Sequence, residues 1–375
     1  MTSNLMKQPI SLITGAAGFS GAWLVHELLR AGHRVFGLDR ASALAQTGRR
    51  SHLHALGFNE ENPQLTYIAG DLNDAASLIP LKELKVDYLF HTASLYDYSA
   101  DATTLTRINV GGTKNLLSVA LEMQPKHFIH WSTCGVFGKP IAAGRGANLP
   151  FSEKSSSPKN STGSEPEGTK LVNAYSVSKW HQEQLLWHAH RTRALPLTVI
   201  RPAPIYGPGS DYGHGGIAAA IGNGLLPAIP EDSKNYITAS VHVHDLARFA
   251  LFVAGRTECI GEDFNVTDNS VISYHEFLHY IALLTGRHMA DIPLLPVSWL
   301  KPVASLVAHG WTALEKNLGV PRVRILEVQS AEYISSSYWI SNRKSLATGF
   351  QYLYPDVKEG LKDTVAWLRE TGAIF

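Results

Sequence analysis

A chain of 375 residues with 45% hydrophobic and 17% charged residues has the composition of a folded globular protein, not of a disordered one. Its 33 lysines and arginines against 32 aspartates and glutamates give a net charge of +1, which provides no long-range field for nucleic acid or acidic lipid. Nucleic acid is therefore excluded as the first choice of partner, and at roughly 150 residues per domain the length predicts about two domains.

Cysteine content and hydropathy point to a cytoplasmic protein. The two cysteines, Cys134 and Cys259, have no disulfide-framework or metal-ligand spacing, which fits a reducing compartment. Residues 1–9 contain no apolar stretch long enough for a signal peptide. Prolines and charges interrupt the most membrane-like segment, 294–314, so we expect no integral membrane span. We interpret this segment as helices lining a pocket, with contact to a membrane surface as the alternative.

The first 200 residues alternate short apolar runs with helical stretches. The strand-like runs, in chain order, are SLITG, RVFGLD, LTYIAGD, VDYLFHTA, HFIHWST and LPLTVIRP, and the first helix covers 22–31. Parallel neighbouring strands need a crossover connection, which a helix supplies. The pattern therefore predicts an α/β fold with a doubly wound parallel sheet of the Rossmann type.

Two composition changes divide the rest of the chain. Residues 139–170 are rich in Gly, Ser, Pro, Asn and Lys, which predicts a long surface loop. Beyond 202 the regularity breaks, although 241–254 predicts a short strand and an apolar helix of the main domain, with Asp245 as its candidate cap. We therefore assign 8–201 with 236–260 to the Rossmann domain, and 202–235 with 261–375 to a smaller, mostly helical substrate-binding region.

A glycine-rich turn, TGAAGFSG, follows the first strand and opens the first helix. Gly15, Gly18 and Gly21 permit a tight turn and let a pyrophosphate approach the free N–H groups of the helix. A plain strand-to-helix turn is the structural alternative. Asp39 ends the next strand, where a carboxylate binds an adenosine ribose and opposes a 2′-phosphate. NAD is therefore favoured over NADP, although Arg40 beside it can accommodate a phosphate.

The strongest chemical signal is the run YSVSK. An i,i+4 spacing on a helix puts Tyr175 and Lys179 on one face, and a cation beside a phenol makes tyrosine a usable acid/base. A solvated Tyr/Lys pair would be the default for an isolated match. Ser132 and Thr133, however, end an earlier strand and supply hydroxyls at the sheet edge where α/β proteins bind ligands.

These runs occur in a familiar order. Together with GDL, HTAS, NVGGTKNLL, STCGVFG, RPAPIYGPG and VHVHDLA, they have the order and spacing of the extended short-chain dehydrogenases/reductases, the NAD-dependent epimerase/dehydratase superfamily. The resemblance covers residues 10 to about 250. Within the superfamily the chain most resembles the 3β-hydroxysteroid dehydrogenase-like and sterol-decarboxylating branch, to which its closing segment is also similar.

The resemblance implies a complete NAD site and a catalytic set. The implied catalytic residues are Thr133, Tyr175 and Lys179. The implied cofactor contacts are Gly15, Ala17, Gly18, Phe19, Gly21, Asp39, Arg40, Asp71, Leu72, Ala93, Asn109, Ser132, Tyr175, Lys179 and Pro202. For Asp71 a solvated turn aspartate is an equal alternative. None of the 17 histidines has a spacing that demands a metal, so we predict none.

Departures from the family pattern bear on the reaction. The loop between Thr133 and Tyr175 is longer than the family norm, and its role as a lid is open. Pro204 stands where many sugar-nucleotide members carry asparagine. Dehydratases need an acid/base pair directly after the catalytic threonine, where this chain has Cys134 and Gly135. We expect an NAD-dependent oxidoreductase that interconverts a secondary alcohol and a ketone; a nucleotide-sugar epimerase and a non-catalytic NAD-binding protein are the alternatives.

The C-terminal third suggests a lipophilic, sterol-like or β-hydroxy/β-keto substrate. Its apolar series is Ile292, Leu294, Leu295, Val297, Trp299, Leu300, Val303, Leu306, Val307 and Trp311. Such a series can line a dry pocket, whereas a diphosphate needs cations once it is desolvated. Arg322 and Arg324 offer such cations, so a nucleotide sugar stays open. Helix packing or the surface of a homodimer is the structural alternative for the series.

Overall fold

The computed structural model describes residues 8–46, 48, 50–98, 100–140, 150–155, 157–300, 302 and 337–375. Within them, seven strands form one sheet: β1 (Ile10–Thr14), β2 (Arg34–Asp39), β3 (Leu65–Ala69), β4 (Tyr88–His91), β5 (His127–Trp131), β6 (Leu197–Pro202) and β7 (Asp263–Val266). Their order is β7-β6-β5-β4-β1-β2-β3, and every neighbouring pair is parallel. The strand order reverses between β1 and β4, and a crevice at such a point is where α/β sheets bind ligands.

Helices connect these strands and cover the sheet. The longer ones are α1 (Phe19–Arg30), α2 (Gly112–Met123), α3 (Ala174–Arg193), α4 (His214–Gly222), α5 (Val243–Val253), α6 (Tyr274–Thr285) and α7 (Val357–Glu370). The short helical segments are Ala41–Leu44, Ser51–His54, Ala75–Glu83, Ala102–Leu105, Thr106–Gly111, Cys134–Phe137, Glu231–Asn235, Thr257–Cys259, Val297–Trp299 and Arg343–Ala347. No helix within the described ranges is both long and apolar enough to cross a membrane.

Both faces of the sheet are buried, which explains the almost continuous apolar runs of its strands. On one face Ile13 packs with Trp23 of α1 and Phe249 of α5. On the other face Leu12 packs with Leu116 of α2 and Trp187 of α3. The doubly wound parallel sheet predicted from the sequence is therefore confirmed.

Among the described residues, four pairs of short strands lie outside the main sheet. They are Lys139–Pro140 with Thr169–Lys170, Ile205–Tyr206 with Val241–His242, Ala228–Pro230 with Ala290–Ile292, and Ile237–Thr238 with Ile272–Ser273. Helices α4, α6 and α7 pack around their own apolar cluster, to which Ile221, Phe277 and Leu361 belong. This cluster forms the core of the smaller, C-terminal region.

Three details differ from the sequence-based expectations. The boundary at residue 260 leaves out β7, which completes the main sheet beside β6. The segment 139–170 is not only a surface loop, because the Phe151 ring stacks on Phe137 at 5.4 Å and its backbone N–H donates to the Trp339 carbonyl. Asp245 does not cap α5; the cap is the His242 ring, and the Asp245 carboxylate accepts from the backbone of 353 and 354.

Candidate active site

The glycine-rich turn joins β1 to α1 in a conformation that the residue types dictate. Gly15 has φ +74°, and a Cβ there would lie 2.9 Å from the Ala93 Cα atom. A Cβ on Gly21 would lie 2.0 Å from the Gly15 carbonyl oxygen, so this position also requires glycine. Helix α1 begins at Phe19, and its cap, Gly18, provides no side-chain bond. The first N–H groups of α1 therefore remain available to an anion.

Asp39 ties this turn to the end of β2. Its Oδ2 accepts from the Ala17 backbone N–H at 3.0 Å, and its Oδ1 accepts from the Arg40 backbone N–H at 2.8 Å. Carboxylate oxygens have further lone pairs for ribose hydroxyls. The Arg40 side chain is exposed. An uncapped helix N-terminus, a turn of glycine and alanine residues and a carboxylate at the next strand end are the parts that an adenosine diphosphate needs, so these residues fit NAD.

Asp71 and Asn109 are engaged in bonds within the protein. The Asp71 carboxylate accepts from the backbone and the side-chain amide of Asn73, as expected for a turn aspartate. Asn109 is buried; its Oδ1 accepts from the Leu95 N–H at 2.7 Å, and its Nδ2 donates to the Ser178 hydroxyl at 2.9 Å. Asn109 therefore fastens the segment after β4 to α3.

Leu72 and Pro202 lie near the carboxyl edge of the sheet. Leu72 packs over Gly112, where a Cβ would come within 3.0 Å of the Leu72 Cβ atom. Pro202 is buried at the end of β6, in register with Val266 of β7. These contacts place both residues in the packing between elements, and their cofactor contacts stay predictions.

Tyr175 and Lys179 both lie near the N-terminus of α3. Tyr175 is 8% exposed and Lys179 is 1% exposed. The Lys179 Nζ donates to the Ser94 hydroxyl at 3.0 Å and to the Trp131 carbonyl at 2.7 Å, so it joins α3 to the ends of β4 and β5. Burial lowers the pKa of Lys179 to about 7, although the nearby Glu183 opposes this shift. The ammonium is therefore held in a site that makes its charge costly.

Thr133 is brought against the first turn of α3. Its Oγ1 accepts from the Gly135 backbone N–H at 3.0 Å. A Cβ on Gly135 would lie 3.3 Å from that Oγ1 and 3.0 Å from the hydroxyl of Ser176. The absence of a side chain at Gly135 therefore lets the Thr133 turn pack beside the residue that follows Tyr175.

Three further tyrosines surround Tyr175, and we call Tyr96, Tyr98 and Tyr212 the tyrosine wall. The Tyr96 ring meets the Tyr175 ring edge to face at 5.0 Å, and the Tyr98 ring lies 5.8 Å from Tyr175. Tyr212 packs on Tyr96 at 4.7 Å. The sequence analysis missed this wall, although the run LYDYS lies in the loop that leaves β4 at the carboxyl edge of the sheet.

A buried ionic network joins α3 to the sheet, and the sequence analysis missed it as well. The Arg201 guanidinium pairs with the carboxylates of Glu183 and Asp263, and all three side chains are at most 2% exposed. The Ser132 hydroxyl donates to Glu183 at 2.6 Å. Ser132 therefore contributes its hydroxyl proton to this network, and its predicted cofactor contact stays a prediction. The spacing of Tyr175, Lys179 and Glu183, each four residues apart, is the signal that would have found it.

The apolar series of the C-terminal third was expected to line a dry pocket, and its described members do not have the burial that such a pocket requires. Leu294 is fully exposed and Trp299 is 58% exposed, whereas Val297 is buried. The described members therefore do not line a closed pocket. Val303, Leu306, Val307, Trp311, Arg322 and Arg324 lie outside the described residues.

A Rossmann sheet with this glycine turn, strand-end aspartate and Thr/Tyr/Lys set defines an NAD-dependent enzyme of the extended short-chain dehydrogenase/reductase type. The profile of the NAD dependent epimerase/dehydratase family matches residues 11–267. The chain belongs to this family, as its sequence motifs predicted, and NAD is its cofactor.

Similar proteins include enzymes of different reactions. A UDP-glucose 4-epimerase from Mycolicibacterium smegmatis is 29% identical over 292 residues, covering 74% of this chain and 82% of that protein. A 3 beta-hydroxysteroid dehydrogenase/Delta 5-->4-isomerase from Mycobacterium tuberculosis is 24% identical over 347 residues, covering 89% and 83%. The structure of the Thermus thermophilus UDP-glucose 4-epimerase in complex with NAD has a TM-score of 0.66 and 20% identity, with 96% and 99% coverage. This structure shares the fold.

Proposed function

We propose that the chain is an NAD-dependent dehydrogenase/reductase that interconverts a secondary alcohol and a ketone on a lipophilic, sterol-like or β-hydroxy/β-keto substrate. The observation that carries this proposal is the tyrosine wall beside Tyr175. Aromatic rings beside Tyr175 favour an apolar or ring-bearing molecule, because the transfer of such a molecule from water to an apolar surface is favourable. The similarity to hydroxysteroid dehydrogenases over most of the chain supports the same substrate class.

The positions of three side chains support the catalytic roles that we propose. NAD, when bound in the cradle between Gly15 and Asp39, supplies the redox chemistry. Thr133 orients the substrate oxygen through its hydroxyl. Tyr175 accepts the proton of the substrate hydroxyl in the oxidative direction and returns it in the reductive direction. Its low exposure keeps bulk water from competing for that proton.

Lys179 acts on Tyr175 from the same face of α3. Its bonds to Ser94 and Trp131 use two of the three N–H donors of an ammonium, which leaves one for a ribose hydroxyl. Burial disfavours its positive charge, and an adjacent phenolate compensates for that cost. The lysine and the tyrosine are therefore expected to favour each other's charged state.

A dehydratase is opposed by the residues that follow Thr133. The Cys134 thiol is 1% exposed and donates to the Arg201 carbonyl at 3.1 Å. Burial raises the pKa of this thiol well above its ordinary value, so it is a poor acid/base at neutral pH. Gly135 has no side chain to offer.

The second candidate is a nucleotide-sugar epimerase, which the M. smegmatis relative favours. Against it, Pro204 has no side-chain donor for a diphosphate, and its carbonyl is engaged by the Val241 N–H. A non-catalytic NAD-binding protein is opposed by the retention of Thr133, Tyr175 and Lys179 together. We also propose a cytoplasmic location, because both cysteines are free thiols.

The test compares ligands on the NAD-bound protein and then assays the ones that bind. Sterol-like and medium-to-long-chain β-hydroxy compounds should raise Tm more than UDP- and dTDP-sugars, and the best binders should reduce NAD. Tyr175→Phe should lower turnover at least ~10²-fold while leaving NAD affinity nearly unchanged. Strong stabilisation by a nucleotide sugar, with epimerisation and no net NADH, would establish the second candidate instead.

A further inference from the structure

A cluster of metal-ligating side chains lies in the C-terminal region, apart from the Tyr175 site. His275 and His279 are four residues apart on α6, so they project from one face of the helix, and Asp291 lies on the short strand Ala290–Ile292. The Nε2 atoms of both histidines lie 2.8 Å from the same Asp291 oxygen, Oδ1. The two imidazole rings are 4.2 Å apart. The chain therefore directs two nitrogens and one carboxylate toward a single point.

The backbone fixes this convergence. Helix α6 ends at Thr285 and is capped by Gly286, whose φ of +70° turns the chain back along the helix. The returning strand Ala290–Ile292 then pairs with Ala228–Pro230, which holds Asp291 opposite the two histidines. The three ligands thus come from two separately anchored elements, as expected for a built site.

The distances suit a small divalent metal ion. One ligand atom from each of the three residues lies within 4.8 Å of the others. Zinc bonds of about 2.0–2.1 Å in a tetrahedron separate neighbouring ligand atoms by roughly 3.3 Å, so Oδ1 would need to move by only about 0.5 Å. The three side chains are 25%, 33% and 43% exposed, which leaves a path for the ion and room for a water ligand.

We propose that His275, His279 and Asp291 bind a divalent transition metal ion of the zinc class and that this ion fastens α6 to the strand Ala290–Ile292. Two imidazole nitrogens and one carboxylate favour zinc and its neighbours over calcium or magnesium, which prefer oxygen ligands. In the metal-free protein the two Nε2–H groups donate to Asp291; when the ion binds, each Nε2 lone pair becomes a ligand and each ring carries its proton on Nδ1 instead.

The site binds a metal rather than forming a hydrolytic centre. The run HEFLH at 275–279 has the two-histidine spacing of metal-dependent hydrolases, in which the intervening glutamate acts as a general base. Here the Glu276 carboxylate accepts from the Lys358 ammonium of α7 at 2.6 Å. This ion pair engages Glu276 with another helix. The prediction that no histidine spacing demands a metal overlooked this run.

The test uses the full chain with its affinity tag removed, dialysed against a chelator and then titrated with zinc chloride in competition with a chromophoric chelator. We expect one zinc ion per chain, and a rise in Tm on addition of zinc. His279→Ala and Asp291→Asn should both abolish the stoichiometric binding and the rise in Tm. His188→Ala, an exposed histidine on α3, is the matched control and should behave as the wild type.

Two results would overturn the proposal. One is the absence of stoichiometric zinc binding to the wild type at 100 µM free zinc, a concentration of order 10⁻⁴ M that any built three-ligand site should exceed in affinity. The other is unchanged zinc binding in both His279→Ala and Asp291→Asn. Retained stabilisation by NAD in each variant shows that the protein is folded, so a loss of zinc binding then reports on the ligands alone.

Discussion

Lys179 shows how a residue that is predicted to be catalytic can lower the stability of the folded protein. Its side chain is 1% exposed, and its ammonium is surrounded by the neutral acceptors of Ser94 and Trp131. Burial lowers its pKa from 10.5 to about 7, so the folded protein releases a proton that the unfolded chain retains. Between these two values stability must rise with pH, because the unfolded state binds more protons.

We therefore predict that the pH dependence of stability changes when the lysine is removed. From pH 7 to 9 the wild type should gain on the order of 1 kcal/mol per pH unit relative to Lys179→Met, which has no ammonium to neutralise. Urea unfolding at pH 7, 8 and 9 measures this difference. Lys154→Met, at an exposed position, should keep the wild-type slope. Equal slopes for wild type and Lys179→Met would show that the lysine is not buried as described.

At the residue scale the sequence predicted those features that depend on local chemistry. Local sequence was enough to predict the glycines of the turn, Asp39 and the Tyr175/Lys179 spacing, because each is set by neighbouring residues or by helix geometry. The bond from Ser132 to Glu183 was not predicted, because Glu183 lies on a different element. The catalytic roles themselves stay predictions.

At the scale of elements, α3 is held by a network that joins it to two strands of the sheet. Glu183 on α3, Arg201 on β6 and Asp263 on β7 are almost completely buried, and Arg201 pairs with both carboxylates. Asp263 also contacts the ammonium of Lys344 at 3.2 Å, which brings in the C-terminal segment. Because Glu183 lies one turn after Lys179, the network fixes the helix that carries Tyr175 and Lys179.

Removing the central cation should be far more harmful than removing a surface one. Arg201→Met removes the cation that pairs with the buried Glu183 carboxylate, whereas Asp263 keeps its contact with Lys344, and the loss of one member of a buried pair costs about 3–5 kcal/mol. Chemical denaturation at pH 7 measures this loss. Lys234→Met breaks an exposed pair with Glu231 and should change stability little. Similar effects of both substitutions would mean that the buried network does not hold the fold together.

Elements were predicted where the pattern was periodic and missed where pairing decided the outcome. The strands from β1 to β6 are apolar runs at the expected positions. Strand β7, with the sequence DFNV, has two polar residues and is a strand because Arg201 neutralises Asp263 and β6 supplies its hydrogen-bond partners. The tyrosine wall likewise depends on two loops, one with Tyr96 and Tyr98 and one with Tyr212, that meet at one edge of the sheet, which no local pattern specifies.

At the scale of the whole molecule, the C-terminal segment binds the two regions together. The Tyr338 hydroxyl donates to the Cys134 carbonyl, next to Thr133, and its backbone N–H donates to the Ile237 carbonyl. The chain then reaches Asp245 of α5 before it forms α7. This course explains why a division by sequence composition gives only approximate domain limits: residues far apart in the chain complete each region.

The role of the C-terminal segment in joining the two regions is most easily tested at Asp245. Its carboxylate is fully buried and accepts from the backbone N–H groups of Leu353 and Tyr354, each at 2.8 Å, and from the Arg248 guanidinium. Asp245→Ala leaves two backbone donors without an acceptor, and each such loss costs ~1–3 kcal/mol. We expect a total loss of about 2–6 kcal/mol, seen as a lower Tm of one cooperative transition that involves both regions.

The matched control is Asp363→Ala, which removes an exposed carboxylate bonded to the Tyr354 hydroxyl at 2.5 Å and should change Tm little. Hydrogen exchange distinguishes the outcomes for Asp245→Ala. Faster exchange in both α7 and the main sheet would show that the C-terminal segment joins the two regions, because they then share one unfolding event. Faster exchange confined to α7, with the sheet unchanged, would show instead that the segment is a separate unit resting on an independently stable Rossmann domain.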